Sequence, residues 1–430
     1  MSDNQATNLE NKQIRPLPIV IAIMIGAFIG LFSETALNMA FTNIMVDFSI
    51  GHNVVQWLTT GYLLTLGILV PVSALLLQWF TTKQLFGASL LFSIAGTLVG
   101  ALAPNFEILL MARIIQAIGT GLLLPLMTNV IMVIYPPHRR GTIMGMMGLV
   151  IMFAPAVGPT LSGLIVDSIG WQAIFWICLP LLIFTFTFGL FYMQNVSTIT
   201  KPKIDILSII LSSIGFGGIV FGFSSAGEGA GSWGDTAVLV PIIIGAISLI
   251  IFSLRQFKME QPMLNLRVFK FPMFSFGLLI VFLGMMIIFS SSILLPMYLR
   301  GGLLLPAFTT GLVLLPGGIV NGLMSPITGK LFDKFGPKFL VIPGLTIATI
   351  FTYLFTNVST ETPVLTVIIL HTCMFVGIAM FMMPSQTNGL NQLPRQFYPD
   401  GAAVMNTLQQ IAGAIGTALA VSIMSAGQAS

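Results

Sequence analysis

The sequence predicts an all-α polytopic membrane protein: two six-helix-type bundles with two extra helices between them, thirteen spans in this chain. Three observations lead there. Only 7% of the 430 residues are charged and 56% are hydrophobic, whereas a soluble domain carries about 25% charged residues. Apolar runs of about twenty residues recur, the length a helix needs to cross a bilayer; alternating ten-residue strands do not. Backbone groups in lipid must be paired internally, so helices follow once a closed barrel is excluded. The third observation is an internal repeat, set out below.

The elements follow in order. Residues 1–16 are polar and read as a cytoplasmic N-terminal segment. The apolar run at 17–45 is too long for a signal-peptide core and is a retained first span. Spans at 54–77, 85–103, 106–134, 142–166 and 172–193 complete an N-terminal six-helix bundle over 17–193. Two more, 204–225 and 237–255, make 194–257 a pair of inserted linker helices. A C-terminal bundle over 258–430 holds spans at 273–299, 308–330, 339–356, 363–390 and 401–424. Pro, Gly and polar clusters separate them, such as Tyr135-Pro-Pro-His-Arg-Arg140 and the glycine-rich stretch from Ala226 to Gly234. The longer spans tilt or project beyond the hydrocarbon. Five spans instead of six in the last bundle imply a further one beyond Ser430.

Orientation comes from the basic residues. With the N-terminus inside, fifteen of the seventeen Lys and Arg fall on cytoplasmic segments, among them Lys83, Arg139, Arg140, Lys330, Lys334 and Lys338. Arg300 alone falls outside, and Arg113 lies within a span. That asymmetry is the positive-inside pattern.

Thr59-Thr60-Gly61 opens the second span and Thr309-Thr310-Gly311 the tenth. Pro125-Leu-Met-Thr128-Asn129 ends the fourth, and Pro384-Ser-Gln-Thr387-Asn388 ends the twelfth. Each pair is eight spans apart, as two parallel halves with a two-helix insert require. Two such halves around a midplane site are the layout of major-facilitator transporters.

Glu34 is the candidate engine. It stands inside the first apolar run, with Ala27, Gly30, Asn38 and Phe41 along one helical face. A charge at the bilayer centre costs about 2.5–3.5 kcal/mol on insertion scales, so this acid belongs toward a protein interior or a wet cavity. There it can load and release a proton; the alternative is a structural acid bonded to a neighbouring helix. Arg113 is the one cation inside a span, sharing a face with Gln116. It either tunes the carboxylate or pins helices through backbone carbonyls. Gly145, Gly148, Gly158, Pro159 and Gly163 punctuate the fifth span. Small residues there permit close approach and Pro159 a bend, which suit a moving interface or ordinary packing. In Gly329-Lys-Leu-Phe-Asp-Lys-Phe-Gly-Pro-Lys338, Asp333 with Lys330 or Lys334 offers a cytoplasmic charge lock; a solvated turn is the alternative. His371 can titrate near neutrality, or pack as a neutral ring. Some of the 25 Met suit an adaptable cavity. Neither Cys178 nor Cys373, both in apolar spans, indicates a disulfide framework. With no phosphate-cradling GxxxxGK[ST] loop and no cluster of metal ligands, no cofactor and no metal are expected.

Together these stretches resemble the fourteen-span drug:proton antiporters of the major facilitator superfamily, the EmrB/QacA-like group, over almost the whole chain. Glu34-Thr-Ala-Leu-Asn-Met-Ala40 resembles their first-helix motif, where the acid is usually Asp. Val55-Gln-Trp-Leu-Thr-Thr-Gly-Tyr62 resembles the start of their second helix. Arg113 to Gly121 is similar to the fourth-helix motif, in which the arginine is implicated in proton coupling. Gly148 to Gly163 is similar to the fifth-helix antiporter motif, and Gly329 to Lys338 to the cytoplasmic loop motif. The copy at Gln78-Trp-Phe-Thr-Thr-Lys83 lacks the acid. Thr407-Leu-Gln-Gln-Ile-Ala-Gly-Ala-Ile-Gly416 resembles the thirteenth helix, after which that group has another span.

The resemblance and the residues imply a proton-coupled multidrug exporter of amphipathic, often cationic drugs, working by alternating access in the cell membrane with its N-terminus cytoplasmic. Glu34 and Arg113 carry proton coupling. Asn38, Gln56, Trp57, Tyr62, Gln116, Gln386, Asn388, Asn406 and Gln410 line the drug site. Gly148, Gly158, Pro159 and Gly163 serve the conformational change, and Gly329, Asp333, Lys334 and Gly336 form a cytoplasmic gate. Partners are small-molecule drugs, protons and the bilayer, with no nucleic acid, and a monomer is expected. Two alternatives stand beside this: an exporter dedicated to one native metabolite or lipid, and a non-transporting membrane sensor or partner-docking protein.

Overall fold

The computed structural model describes residues 16–197, 199–227 and 234–429. The readings made for residues 1–15 and for 228–233 lie outside the described residues. Every expected span is a helix. The first half comprises α1 (Pro16–Phe48), α2 (Trp57–Trp79), α3 (Thr82–Ala101), α4 (Phe106–Ile134), α5 (Pro137–Ile169) and α6 (Gln172–Tyr192). The insert is α7 (Ile206–Gly227) and α8 (Thr236–Lys258). The second half holds α9 (Pro272–Met297), α10 (Ala307–Phe335), α11 (Lys338–Leu354), α12 (Val364–Asn391) and α13 (Tyr398–Ala429). Among the described residues, α1 to α12 are each long and apolar enough to cross a membrane.

Local chemistry sets several of the boundaries. Thr81 starts α3 with a reciprocal capping box: its side chain accepts from the Gln84 amide, and the Gln84 side chain accepts from the Thr81 amide. Asn105 caps α4 by accepting from the Ile108 amide at 3.0 Å. Pro137 and Pro272 occupy first-turn positions of α5 and α9, where a missing N–H costs nothing. Gly170 (φ 91°) and Gly336 (φ 77°) end α5 and α10 in conformations that L side chains rarely adopt.

Within the first half α1 packs on α4, α5 and α6, and α3 lies between α4 and α6. In the second, α12 contacts α9, α10 and α11, while α9 also packs along α13. Two seams join the halves. Along one, α5 and α10 meet through small residues. A Cβ added to Gly145 would lie 3.0 Å from Pro326 Cα, one on Gly329 3.0 Å from Gly145 Cα, and one on Gly318 2.6 Å from Ala156 Cβ. Backbones this close are what small residues permit in a medium where packing, not hydrophobicity, drives association.

The insert covers the other seam. Phe216 and Val220 of α7 pack with Leu63 of α2 and with Leu408, Ile411 and Ile415 of α13. One helix of the insert thus touches both halves. Its partner α8 turns Ile243, Ile247, Ile250 and Leu254 outward to lipid. Several contacts hold the hairpin together, two of them at its middle and its basic end. Gly245 lies so close to α7 that a Cβ there would stand 2.9 Å from both the Gly215 carbonyl and the Ile219 nitrogen. At the basic end, Arg255 donates from Nε and another nitrogen to Asp205 at 2.7 and 3.0 Å. These bonds hold the Asp205 carboxyl down to about 2.

Because the atoms around Gly245 are backbone and cannot swing away, Gly245→Val should lower stability by about 1–3 kcal/mol through overpacking. Gly87→Ala, where the added carbon meets nothing within 4 Å, should be neutral. Thermal unfolding of the detergent-solubilised protein measures both.

Candidate functional site

The winding of α1 changes beside Glu34. Regular α-helix runs to Ala36, a 3-10 stretch covers Leu37–Ala40, and α-helix resumes at Phe41. The last turn of an α-helix leaves carbonyls without amide partners, so a donor from elsewhere is needed. Arg113 supplies it. From α4 its Nη2 donates to the Glu34 carbonyl at 3.3 Å, and its Nη1 to the Ser33 carbonyl at 3.1 Å. Nη1 also reaches Ser33 Oγ at 3.4 Å and Gln116 Oε1 at 3.0 Å, and Nε reaches the Leu58 carbonyl of α2 at 3.5 Å. The planar fork of five donors suits this multiple attachment. One buried guanidinium, 1% exposed, ties α1, α2 and α4 together.

Tyr62 lies under the same cation, its ring centroid 4.4 Å from Arg113 Cζ. The Tyr62 hydroxyl donates to Thr120 Oγ1 at 2.8 Å, and Gln116 Nε2 donates to Thr97 Oγ1 at 2.8 Å. The Glu34 carboxylate is different. Among the described residues it forms neither a hydrogen bond nor an ion pair, and the Asp205–Arg255 contact is the ion pair found there. Glu34 and Arg113 act on each other electrostatically without touching through the carboxylate. Half-buried at Glu34, α1 is exposed one turn on at Asn38, whose Oδ1 accepts from Thr59 Oγ1 at 2.8 Å. With 1.5 Å rise per residue, Glu34 stands about 27 Å along α1 from Pro16, toward the end away from the basic residues.

The nine side chains expected to meet drug fall into three groups. Tyr62 and Gln116 are buried in the arginine network with their polar atoms bonded. Asn38 and Trp57 are exposed and Gln56 half-buried, around the start of α2; the Trp57 ring packs at 5.7 Å on Phe221 of the insert. Gln386 and Asn406 are buried in the second half, where Gln386 Oε1 accepts from Gln409 at 3.3 Å. Asn388 and Gln410 are half-buried on the same two helices. His371 is buried with its ring 4.5 Å from that of Phe375 and against Gly317 of α10.

The halves are latched at the basic end. Asp333 at the end of α10 accepts from the Gly141 and Thr142 amides of α5 at 2.8 and 2.7 Å, and from Thr142 Oγ1 at 2.6 Å. The charge lock with Lys330 or Lys334 is not what forms. Three donors converge on Asp333 from the opposite half, while both lysines stand exposed. Arg140 closes the neighbouring contact: it donates to Asn391 Oδ1 at 2.9 Å and to the Tyr398 hydroxyl at 3.0 Å across the interface, and to the Tyr135 carbonyl at 2.8 Å within its own half. Deeper in, Asn406 Nδ2 donates to Thr128 Oγ1 at 3.3 Å. Gly148 abuts Met383 of the second half, Gly158 abuts Thr35 of α1, and a Cβ on Gly163 would meet nothing within 4 Å. The Pro159 side chain lies outside the described residues. Gly329 meets Gly141 backbone to backbone, and Gly336 turns the chain after the latch.

Reading the sequence missed Ser33, Thr97 and Thr120 as partners of the arginine network, since hydroxyls on separate spans carry no linear signature. It also counted Arg140 only as a cytoplasmic basic residue. The duplicated Pro-x-x-Thr-Asn endings did mark Thr128, which sits at the interface.

Comparison with known proteins agrees with this architecture. The Major Facilitator Superfamily profile matches residues 23–417. The lincomycin resistance protein LmrB of Bacillus subtilis (strain 168) is 64% identical over 424 residues, 99% of this chain and 88% of that protein. A multidrug resistance protein B homolog of Mycobacterium tuberculosis (strain ATCC 25618 / H37Rv) is 28% identical over 392 residues, 90% of this chain and 72% of that protein. Among solved structures, the human organic anion transporter MFSD10 (TETRAN) shares the fold at a TM-score of 0.69 and 13% identity, over 96% of this chain and 94% of that one. By sequence match and by fold, this chain belongs to the Major Facilitator Superfamily, a family of transporters and not of enzymes.

Proposed function

We propose that the chain is a proton-driven exporter of amphipathic drugs that works by alternating access in the cell membrane, with its N-terminus in the cytoplasm. The observation that carries this is Glu34: an acid half-buried in a span, its carboxylate unpaired, on a helix held in place by a cation that bonds the adjoining backbone. A structural acid would have its oxygens satisfied, because a buried carboxylate without partners is costly. Among the described residues Glu34 instead has a carboxylate without a hydrogen-bond or ion-pair partner, open to a proton or a drug ammonium. If either occupant excludes the other, uptake of a proton from outside expels drug, and loading of drug from inside expels the proton. That exchange is the coupling.

The second requirement is a barrier that opens on one side at a time. The bonds joining the halves cluster at the basic end, which supports a conformer closed toward the cytoplasm. Asp333 serves as the latch and Gly148 as a sliding contact. A relative named for lincomycin resistance makes lincomycin the first compound to test.

In everted vesicles given a pH jump, Glu34→Gln should abolish uphill dye or lincomycin accumulation while leaving expression and thermal unfolding as in wild type; accumulation at the wild-type level would refute the assignment. Arg113→Lys keeps the charge and loses the fork that serves three carbonyls. It should reduce transport at least tenfold and lower the unfolding temperature as well. Asp333→Ala should release the cytoplasmic latch. A cysteine at Thr128, in a background without Cys178 and Cys373, should then react severalfold faster with an impermeant thiol reagent added from the cytoplasmic side.

A further inference from the structure

The latch leaves two charges unexplained. With Asp333 committed to the amides of α5, Lys330 and Lys334 have neither an ion pair nor a hydrogen bond among the described residues. They stand four residues apart on one exposed face of α10, and like charges at that spacing repel. Both border a shallow, open groove along the helix lined by Ile327, Lys330, Leu331, Lys334 and Phe335. The spacing of these five residues, i, i+3, i+4, i+7 and i+8, is one continuous helical stripe. Ile327 and Phe335 are each 52% exposed, and Lys334 Nζ stands 5.0 Å from the Phe335 ring centroid.

From these observations we infer that the groove on α10 is a binding site for one anionic phospholipid. The phosphate lies between Lys330 and Lys334, and an acyl chain follows Leu331, Ile327 and Leu323. The polarity fits this occupant at both ends. The lysines are near the basic end of the span, at headgroup depth, and the apolar track runs from them toward the bilayer interior. Leu323 continues the line one turn beyond Ile327 and is 55% exposed, so the track from Leu331 is about 12 Å long. A basic pocket beside an apolar helix face on the cytoplasmic side is the arrangement that recognises such headgroups. Free phosphate would satisfy the lysines and leave the apolar stripe uncovered; a neutral lipid would do the reverse. Asp333 borders this stripe, three residues from Lys330, but its oxygens are committed to Gly141 and Thr142, so the lipid sits beside the latch without competing for its bonds.

The test uses the whole chain reconstituted in vesicles of phosphatidylcholine and phosphatidylglycerol, then extracted gently and weighed intact by native mass spectrometry. Wild type should retain phosphatidylglycerol in preference to phosphatidylcholine. Lys330→Gln/Lys334→Gln should lower that preference about tenfold, and Lys330→Arg/Lys334→Arg should restore it. Neutralising Lys83 and Lys203 instead should leave it unchanged. Unaltered thermal unfolding shows that the glutamine variant is folded, as both sites are exposed. Undiminished enrichment in that variant would overturn the inference, and so would displacement of the lipid by millimolar inorganic phosphate. The readout is lipid retention, so it stands or falls separately from transport by Glu34.

Discussion

The attachment of Arg113 to the backbone of α1 is the constraint on which the rest of the site depends. A cation buried to 1% exposure must have its donors satisfied or destabilise the bundle by several kcal/mol. Here the carbonyls of Ser33, Glu34 and Leu58 and the Gln116 side chain satisfy it. The guanidinium bonds to the Glu34 carbonyl, and among the described residues the carboxylate has no hydrogen bond or ion pair. A direct ion pair would have stabilised both charges and removed the acid from chemistry. Fixing the helix through its backbone positions the acid and leaves it unoccupied.

The change in winding at Leu37–Ala40 belongs to the same arrangement. Mid-helix 3-10 segments often mark a functional hinge, and this one begins three residues after the acid and contains the exposed Asn38. Tyr62, beneath Arg113 and bonded to Thr120, transmits any shift of the cation to α2 and α4. Movement of α1 is therefore coupled to the two helices that frame it. The dense packing of these polar groups makes discrete rearrangement more favourable than gradual deformation.

Much of this architecture was legible in the sequence for a simple physical reason. Bilayer thickness fixes how long an apolar run must be, so all thirteen helices could be placed from run length and punctuation alone. The pseudo-repeat at Thr128 and Thr387, the isolated Glu34 and the glycines of α5 were equally visible. What the sequence did not carry was the choice of partner. For Asp333 it offered Lys330 and Lys334, three residues before and one after; the folded chain supplies amides some 190 residues away. For Arg113 it offered either an opposite charge or backbone carbonyls without saying whose, and the fold supplies those of Ser33 and Glu34 beside the break in α1 and that of Leu58 on α2. Arg140 was indistinguishable from Arg139 until Asn391 and Tyr398 were brought beside it.

The degenerate loop after α2 shows how the two halves differ in closing. In the second half an acid at the corresponding turn, Asp333, reaches across to the amides of α5. In the first half the turn Gln78–Lys83 has no acid, and it is held by the linker that follows α6. Trp79 Nε1 donates to the Pro202 carbonyl at 2.8 Å, the Thr200 and Lys201 amides donate to the Gln78 carbonyl at 3.1 and 3.2 Å, and the Lys83 amide donates to Asn195 Oδ1 at 3.2 Å. These bonds run between the first half and the linker leading to the insert, so they can persist when the halves separate. The bonds of Asp333 and Arg140 cannot. Opening of the basic end must therefore break contacts at the α5–α10 seam, while the linker keeps the insert tethered to the first half. At the second seam α13 packs on α7, α2 and α4, and these contacts have to slide; apolar side chains such as Ile411 and Val220 can do so without losing a hydrogen bond.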